Sequence, residues 1–259
     1  MKTIVTTAGR TNDIFVQKAK TIASELSLAY VKRQKKSVQK MHKELQANLL
    51  VVGKERLELY IFGSTTPFFF HPNSAAFRMK RILNGDKDVL LEALDLQSGD
   101  RFLDLTAGLC SDSILAAYAV GENGVVDACE KDTMVAYIVR HGLETYETES
   151  IGLRKSMQQI HIIHQDAIDY LKQQDSDSYD VVYMDPMFEE VIEESSNFEA
   201  LRQAGVHETV SDEWITEAKR VAKKRVVLKA HFRSPLFEKY DFERLTRLTS
   251  KFHYGVIEI

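Results

Sequence analysis

Four acidic side chains follow four runs of strand-forming residues in chain order: Asp104 in "RFLDLTAGLC", Glu130 in "VVDACEKD", Asp166 in "HIIHQDA" and Asp185 in "VVYMDPMF". A carboxylate accepts hydrogen bonds and attracts cations, so a row of four asks for a ligand rich in donors or positive charge. Asp185 stands in front of Pro186, which lacks an N–H and has a fixed φ, so the strand would deliver a carboxylate and an aimed carbonyl together. Phe188, two residues further on, offers a flat ring just outside the core. The set suits an amino group on a planar ring. Its two N–H groups would donate to Asp185 and to the Pro186 carbonyl, its plane would stack on Phe188, and its nitrogen would be held toward an electrophile.

What is missing constrains the ligand at the other strand ends. "GLCSDSI" has one glycine where a dinucleotide fingerprint has three, and the chain has no Gly-Lys-Ser/Thr phosphate loop. S-adenosylmethionine fits the carboxylates better, since it carries an ammonium, a sulfonium, a ribose diol and an adenine amino group but no phosphate. On this reading Asp104 and the turn Thr106, Ala107, Gly108 and Leu109 lie under the methionine end, with Gly108 allowing close backbone approach. Glu130, followed by Lys131, accepts the ribose hydroxyls. Asp166 accepts from the adenine amino group, and Ala167 touches the ring plane. Taken singly, Asp104, Asp112 and Asp166 would each serve as caps; their joint order at successive strand ends favours the cofactor. Methyl transfer to an amine then depends on orientation and in-line approach, and no metal is expected.

Such residues need a sheet whose strand ends form one edge. From Asp86 onward, strand and helix patterns alternate through "VLLEALDL", "RFLDLTA", "SDSILAAYAV", "GVVDAC", "TMVAYIVRHGLETY", "QIHIIHQ", "AIDYLKQ", "DVVYMD", "DEWITEAKRVA" and "RVVLKA". Repeated βα units predict a mainly parallel, Rossmann-like α/β sheet that binds ligands at the carboxyl ends of its strands. "RLTRLTS" and "KFHYGVIEI" close the chain as an antiparallel hairpin at one sheet edge. Residues 1–62 read as a small α/β domain, with a strand, a helix, a second helix over "KRQKKSVQKMHKEL" and two short strands around a Gly-Lys-Glu turn. Residues 63–85 read as a connector whose three consecutive Phe must pack against something, and residues 86–259 as the cofactor-binding domain.

Hydrophobic content of 44% and charge of 28% over 259 residues predict a packed globular protein. No apolar run reaches the roughly 18 residues of a membrane helix, and the first ten residues lack a secretory core, so a cytoplasmic location is expected. Cys110 and Cys129 are too few for a disulfide framework and read as core fillers. The net charge of −4 conceals a division: residues 1–83 hold 15 Lys and Arg against 5 Asp and Glu, a balance of +10, while the remainder stands at −14. Lys32, Arg33, Lys35, Lys36, Lys40 and Lys43 fall within twelve positions that contain no acid. They read as a solvated face or as a phosphate-backbone contact, which Arg78, Lys80 and Arg81 could extend.

"RFLDLTAGLCSDSILAAYAVG", "VVYMDPMF" and "RVVLKA" resemble the bacterial small-subunit ribosomal RNA guanine-N2 methyltransferase family, whose members carry a Thr-Ala-Gly-Leu turn and an Asp-Pro-Met-Phe motif. "ERLELYIF", "RMKR" and "KFHYGVIEI" are also similar, so the resemblance spans roughly residues 55 to 259. It implies a class I methyltransferase fold, S-adenosylmethionine as donor and a guanine amino group in ribosomal RNA as acceptor. Asp104, Gly108 and Asp112 then fall in the first cofactor motif, Glu130 in the second and Asp166 in the third, with Asp185 and Phe188 in the catalytic one. The chain departs from the family at Cys110-Ser111-Asp112, where relatives carry Gly-Arg-Asp, and at Glu189, Glu190, Glu193 and Glu194, which put acid where RNA would approach. Those departures keep two other readings open: a methyltransferase for a small molecule or protein side chain, and a non-catalytic RNA-binding protein that retains the fold.

Overall fold

A computed structural model of the chain describes residues 1–186, 210–247 and 250–259. Among these residues the chain divides into two compact units, one of residues 1–71 with 137–146, the other of residues 72–136, 147–186 and those from 210 onward. No helix is long and apolar enough to cross a membrane among the described residues.

The first unit carries β1 (Thr3–Thr7), α1 (Asp13–Glu25), β2 (Ala29–Tyr30), α2 (Val38–Leu45), β3 (Asn48–Val52) and β4 (Leu57–Tyr60). The sheet order is β2-β1-β3-β4; β1 runs parallel to both neighbours and β4 antiparallel to β3. Asn12 caps α1 by accepting from the Phe15 N–H at 3.1 Å. The second helix is shorter than its sequence suggests. Gln34 and Lys35 take left-handed backbone angles, and Ser37 caps a helix that begins only at Val38, so Lys32–Lys36 form a turn. Two of the three consecutive Phe are buried: Phe68 bridges to Leu59, and Phe70 packs in the same unit, while Arg56 lies over the Phe69 ring at 3.6 Å.

In the second unit the expected connector is partly helical, because Ala75 and Met79 form a buried stripe on α3 (Asn73–Leu83). Then come α4 (Val89–Leu94), β5 (Arg101–Asp104), α5 (Ser111–Val120), β6 (Val125–Cys129), α6 (Thr133–Thr145), whose residues from Tyr137 onward count with the first unit, α7 (Ile151–Gln158), β7 (Ile160–Ile163), α8 (Ala167–Leu171) and β8 (Tyr179–Met184). The chain resumes with α9 (Asp212–Val221), β9 (Ala222–His231), α10 (Leu236–Lys239), β10 (Glu243–Leu245) and β11 (Phe252–Glu258). The alternation missed α7, whose signal was a Ser150 cap followed by Leu153 and Met157 on one face.

Seven strands form one sheet in the order β10-β11-β9-β8-β5-β6-β7. The five strands from β9 to β7 are parallel, and β11 runs antiparallel to both β9 and β10, as the sequence predicted. Leu103, Val182, Val226 and Leu228 bury one face together with Trp214 of α9, so the strands read as near-continuous apolar runs. From β5 the chain steps through β6 to β7 on one side, and β8 and β9 lie on the other. The order therefore reverses between β5 and β8, the switch point at whose carboxyl ends such sheets bind ligands.

Candidate active site

Asp104 ends β5 at this reversal, and in the ladder it lies opposite Tyr183 of β8. It is 1% exposed. Its Oδ1 accepts from the Thr106 N–H at 2.9 Å and from the Thr106 hydroxyl at 3.2 Å; its Oδ2 accepts from the Ser113 hydroxyl at 2.5 Å. Burial pushes this carboxyl up to about 6, against the pull of those donors. Both oxygens thus shape the turn from Leu105 to Cys110, in which Gly108 and Cys110 take left-handed angles and the Ala107 N–H donates to the Cys129 carbonyl. Such angles at the start of α5 are what a turn needs to bring backbone close to a ligand.

Thr106 joins this turn to the next strand end. Its hydroxyl accepts the Asp185 N–H at 2.7 Å, which fixes the backbone of the residue before Pro186. The Asp185 side chain meets Lys229, on the neighbouring strand β9: Nζ lies 2.5 Å from Asp185 Oδ2 and 3.1 Å from Asp112 Oδ2. Register places them together, since Met184 pairs with Leu228 and each following residue emerges at the same edge. Asp112, in the first turn of α5, also accepts from Arg78 Nη1 at 2.6 Å and from the Tyr183 hydroxyl at 2.7 Å. Arg78 in turn holds Asp88 through two nitrogens, at 2.6 and 2.8 Å.

The charges in this cluster set one another. Burial alone would discharge the Lys229 ammonium, but Asp112 and Asp185 outweigh it and hold its proton well above the usual lysine range. Burial would likewise raise Asp112, and there Lys229 and Arg78 win, keeping it below the ordinary carboxylate range. Asp185 is raised by burial, opposed by Lys229. Lys229 engages Oδ2 of Asp185, and Oδ1 makes no hydrogen bond among the described residues.

The expected cofactor residues separate into two kinds. Glu130, just past β6, accepts from the Asp132 N–H at 2.8 Å, and burial pushes its carboxyl up to about 7. A desolvated carboxylate beside the Gly108 turn fits a ribose diol and repels phosphate, so the residues present suit S-adenosylmethionine. Asp166, by contrast, caps α8 through the Ile168 and Asp169 N–H groups and pairs with Lys131 at 2.7 Å, so both its oxygens are engaged within the protein. Ala167 is buried in the core. The two cysteines are buried free thiols. Phe188 and the acidic residues from Glu189 to Glu194 lie outside the described residues.

The basic residues also divide. Lys32, Lys35, Lys40 and Lys43 are exposed. Arg33 is buried and donates to the Lys36 and Thr7 carbonyls, and Lys36 pairs with Glu44 at 2.6 Å. Lys80 and Arg81 are exposed on α3, Arg81 pairing with Asp86, but Arg78 is part of the charge cluster rather than of a basic surface. Sequence reading overlooked Lys229, Ser113 and Tyr183. The signal for Lys229 was a charged residue inside "VVLKA", a run whose other four residues are apolar.

Comparison with known proteins follows the same lines. The family model "Putative SAM-dependent methyltransferase" matches residues 33–251. The "Uncharacterized protein YpiP" of Bacillus subtilis is 44% identical over 255 residues, covering 98% of this chain and 99% of that one. "Ribosomal RNA small subunit methyltransferase J" of Buchnera aphidicola is 29% identical over 225 residues, covering 82% and 86%. The crystal structure of the SAM-dependent methyltransferase NGO1261 from Neisseria gonorrhoeae shares the fold at a TM-score of 0.62 and 18% identity, covering 99% of this chain and 96% of that one.

Two outcomes are expected. Lys229→Met leaves Asp185 without its counterion and should lower stability by about 3 kcal/mol, the low end for breaking a buried pair because Asp112 keeps Arg78. Urea unfolding should show this deficit shrinking as pH falls and Asp185 takes up a proton. An ionised carboxylate is the form that would accept two ribose hydroxyls, and burial pushes the Glu130 carboxyl up to about 7. Calorimetry should therefore show cofactor affinity held above pH 7 and about tenfold weaker one unit below, with Glu130→Gln flattening the profile.

Proposed function

This chain belongs to the S-adenosylmethionine-dependent methyltransferase family, and we propose that the group it methylates is an exocyclic amine of a base in ribosomal RNA, guanine N2. The observation that carries this reading is the fixation of Asp185 between Thr106 and Lys229, directly ahead of Pro186. Its main chain and its carboxylate are both held before any acceptor arrives. The relatives named as ribosomal RNA small subunit methyltransferase J support RNA as the substrate class.

S-adenosylmethionine supplies an electrophilic methyl carbon on a sulfonium, so the acceptor nitrogen needs alignment more than activation. Asp185 Oδ1 and the Pro186 carbonyl accept its two N–H groups, and Pro186 offers no N–H that would compete for the carboxylate. Lys229 keeps Asp185 an acceptor by holding its charge, and Thr106 keeps the strand end in place. Glu130 anchors the ribose. Rate then comes from orientation in a site where protein dipoles are already set. Residues 1–62 serve as a basic domain that positions the RNA through Lys32, Lys35, Lys40 and Lys43, while Arg33 and Lys36 hold its local structure.

Labelled methyl groups should pass into RNA from a strain lacking the protein and not into RNA from its parent; label found only in protein or small molecules would end this reading. Asp185→Ala should cut kcat by roughly 100-fold or more with cofactor affinity nearly unchanged. Replacing Lys32, Lys35, Lys40 and Lys43 by Ser should weaken RNA binding and flatten its salt dependence, and unchanged binding would return these residues to a solvated face.

A further inference from the structure

Within the second unit, α3, the start of α4, β9 and β11 line a cavity of about 350 Å³. Its volume is at the lower end of the range for a small-ligand site. Among the described residues five basic side chains line it, Arg78, Arg81, Lys87, Lys229 and Arg247, against one acid, Asp88. Asp88 and Asp112 neutralise Arg78, and Asp112 and Asp185 neutralise Lys229. The other three differ. Arg81 and Lys87 reach only exposed carboxylates, Asp86 at 2.9 Å and Glu92 at 3.8 Å, in pairs that water weakens. Arg247 makes no ion pair among the described residues, although its backbone carbonyl is held by the His253 ring at 3.1 Å. A guanidinium fixed at its main chain and left without a counterion in a cavity wall calls for an anion.

The position of the cavity says which anion. Lys229 lies in its wall and touches Asp185, so a group bound there is next to the residue that orients the acceptor amine. Two guanidinium forks, from Arg81 and Arg247, match the oxygens of a phosphate better than a point charge would. We propose that this cavity binds a backbone phosphate at the acceptor nucleotide, with Arg247 and Arg81 as its partners, and thereby selects a base within an RNA chain over the free base or nucleoside. The assignment rests on the reading of an RNA acceptor, and it deepens that reading by naming residues outside the basic N-terminal segment.

The test uses the full chain with saturating S-adenosylmethionine and a short single-stranded RNA followed by fluorescence anisotropy over a range of salt. Arg247→Ala should weaken RNA binding roughly tenfold, as loss of a charged hydrogen bond does. It should also reduce the salt slope by about one, as loss of one phosphate contact does. Arg247→Glu should weaken binding further, and Arg81→Ala should act in the same direction. Cofactor affinity, measured by calorimetry, should stay unchanged in all three, which also reports that they fold. RNA affinity and salt slope unchanged in both Arg247 variants would overturn the proposal, even with a wild type that methylates RNA. Conversely, Arg247-dependent RNA binding by a wild type that transfers no methyl group to RNA would sustain the cavity and defeat the function proposed above.

Discussion

The Lys229 ammonium sits between two carboxylates that belong to different parts of the second unit, Asp112 at the start of α5 and Asp185 at the end of β8. Each of the three groups would be costly to bury alone, and together they are stable because every charge faces an opposite one within hydrogen-bonding distance. Arg78 extends the arrangement to α3 and α4, through Asp112 and Asp88. A single electrostatic unit thereby ties the strand end that would hold the acceptor to the helix whose first turn would flank the cofactor. Its worth lies in geometry. Replacing its other members, Lys229, Asp112 and Arg78, by apolar side chains would leave Asp185 without a fixed direction.

Topology makes such a cluster possible. Because the strand order reverses between β5 and β8, the carboxyl ends of the two strands lie at a topological switch point. Thr106 spans that gap, its hydroxyl donating to Asp104 and accepting from Asp185. The same edge also separates two electrostatic environments. Toward β6 it presents Glu130, whose carboxyl is raised by burial and suits neutral hydroxyl donors. Toward β9 and β11 it presents Lys229 and a cation-lined cavity. On the proposed reading, a donor with a diol and an acceptor with a phosphate would meet opposite sides of Asp185.

Much of the fold was legible because its signals are local. Alternation of apolar strand and helix patterns gave β5 to β9 in order, and the closing strand β11 was visible from its β-branched and aromatic residues. The errors were local too. The helix expected from residue 32 starts at Val38, since Gln34 and Lys35 adopt left-handed angles that composition does not reveal. A stretch read as connector holds α3, because its Pro and Phe residues masked the helical spacing of Ala75 and Met79. In the site, Asp104, Glu130 and Asp185 stand at strand ends as expected, while two expected ligand residues also hold local backbone: Asp104 secures its own turn and Asp166 caps α8.

The amino-acid sequence by itself determined the parallel sheet, the row of carboxylates at its edge, and the Asp-Pro pair that aims a carbonyl, since all follow from residue types at short spacing. Only the tertiary structure decided what those carboxylates face. Arg78 lies 34 residues from Asp112, and Lys229 lies 44 from Asp185, so their pairing depends on strand register and on the placement of α3 rather than on any nearby pattern. Spacing along the chain locates a charge. The folded neighbours decide whether it is spent on the protein or left for a ligand, because desolvation makes each buried charge take whichever partner the packing supplies.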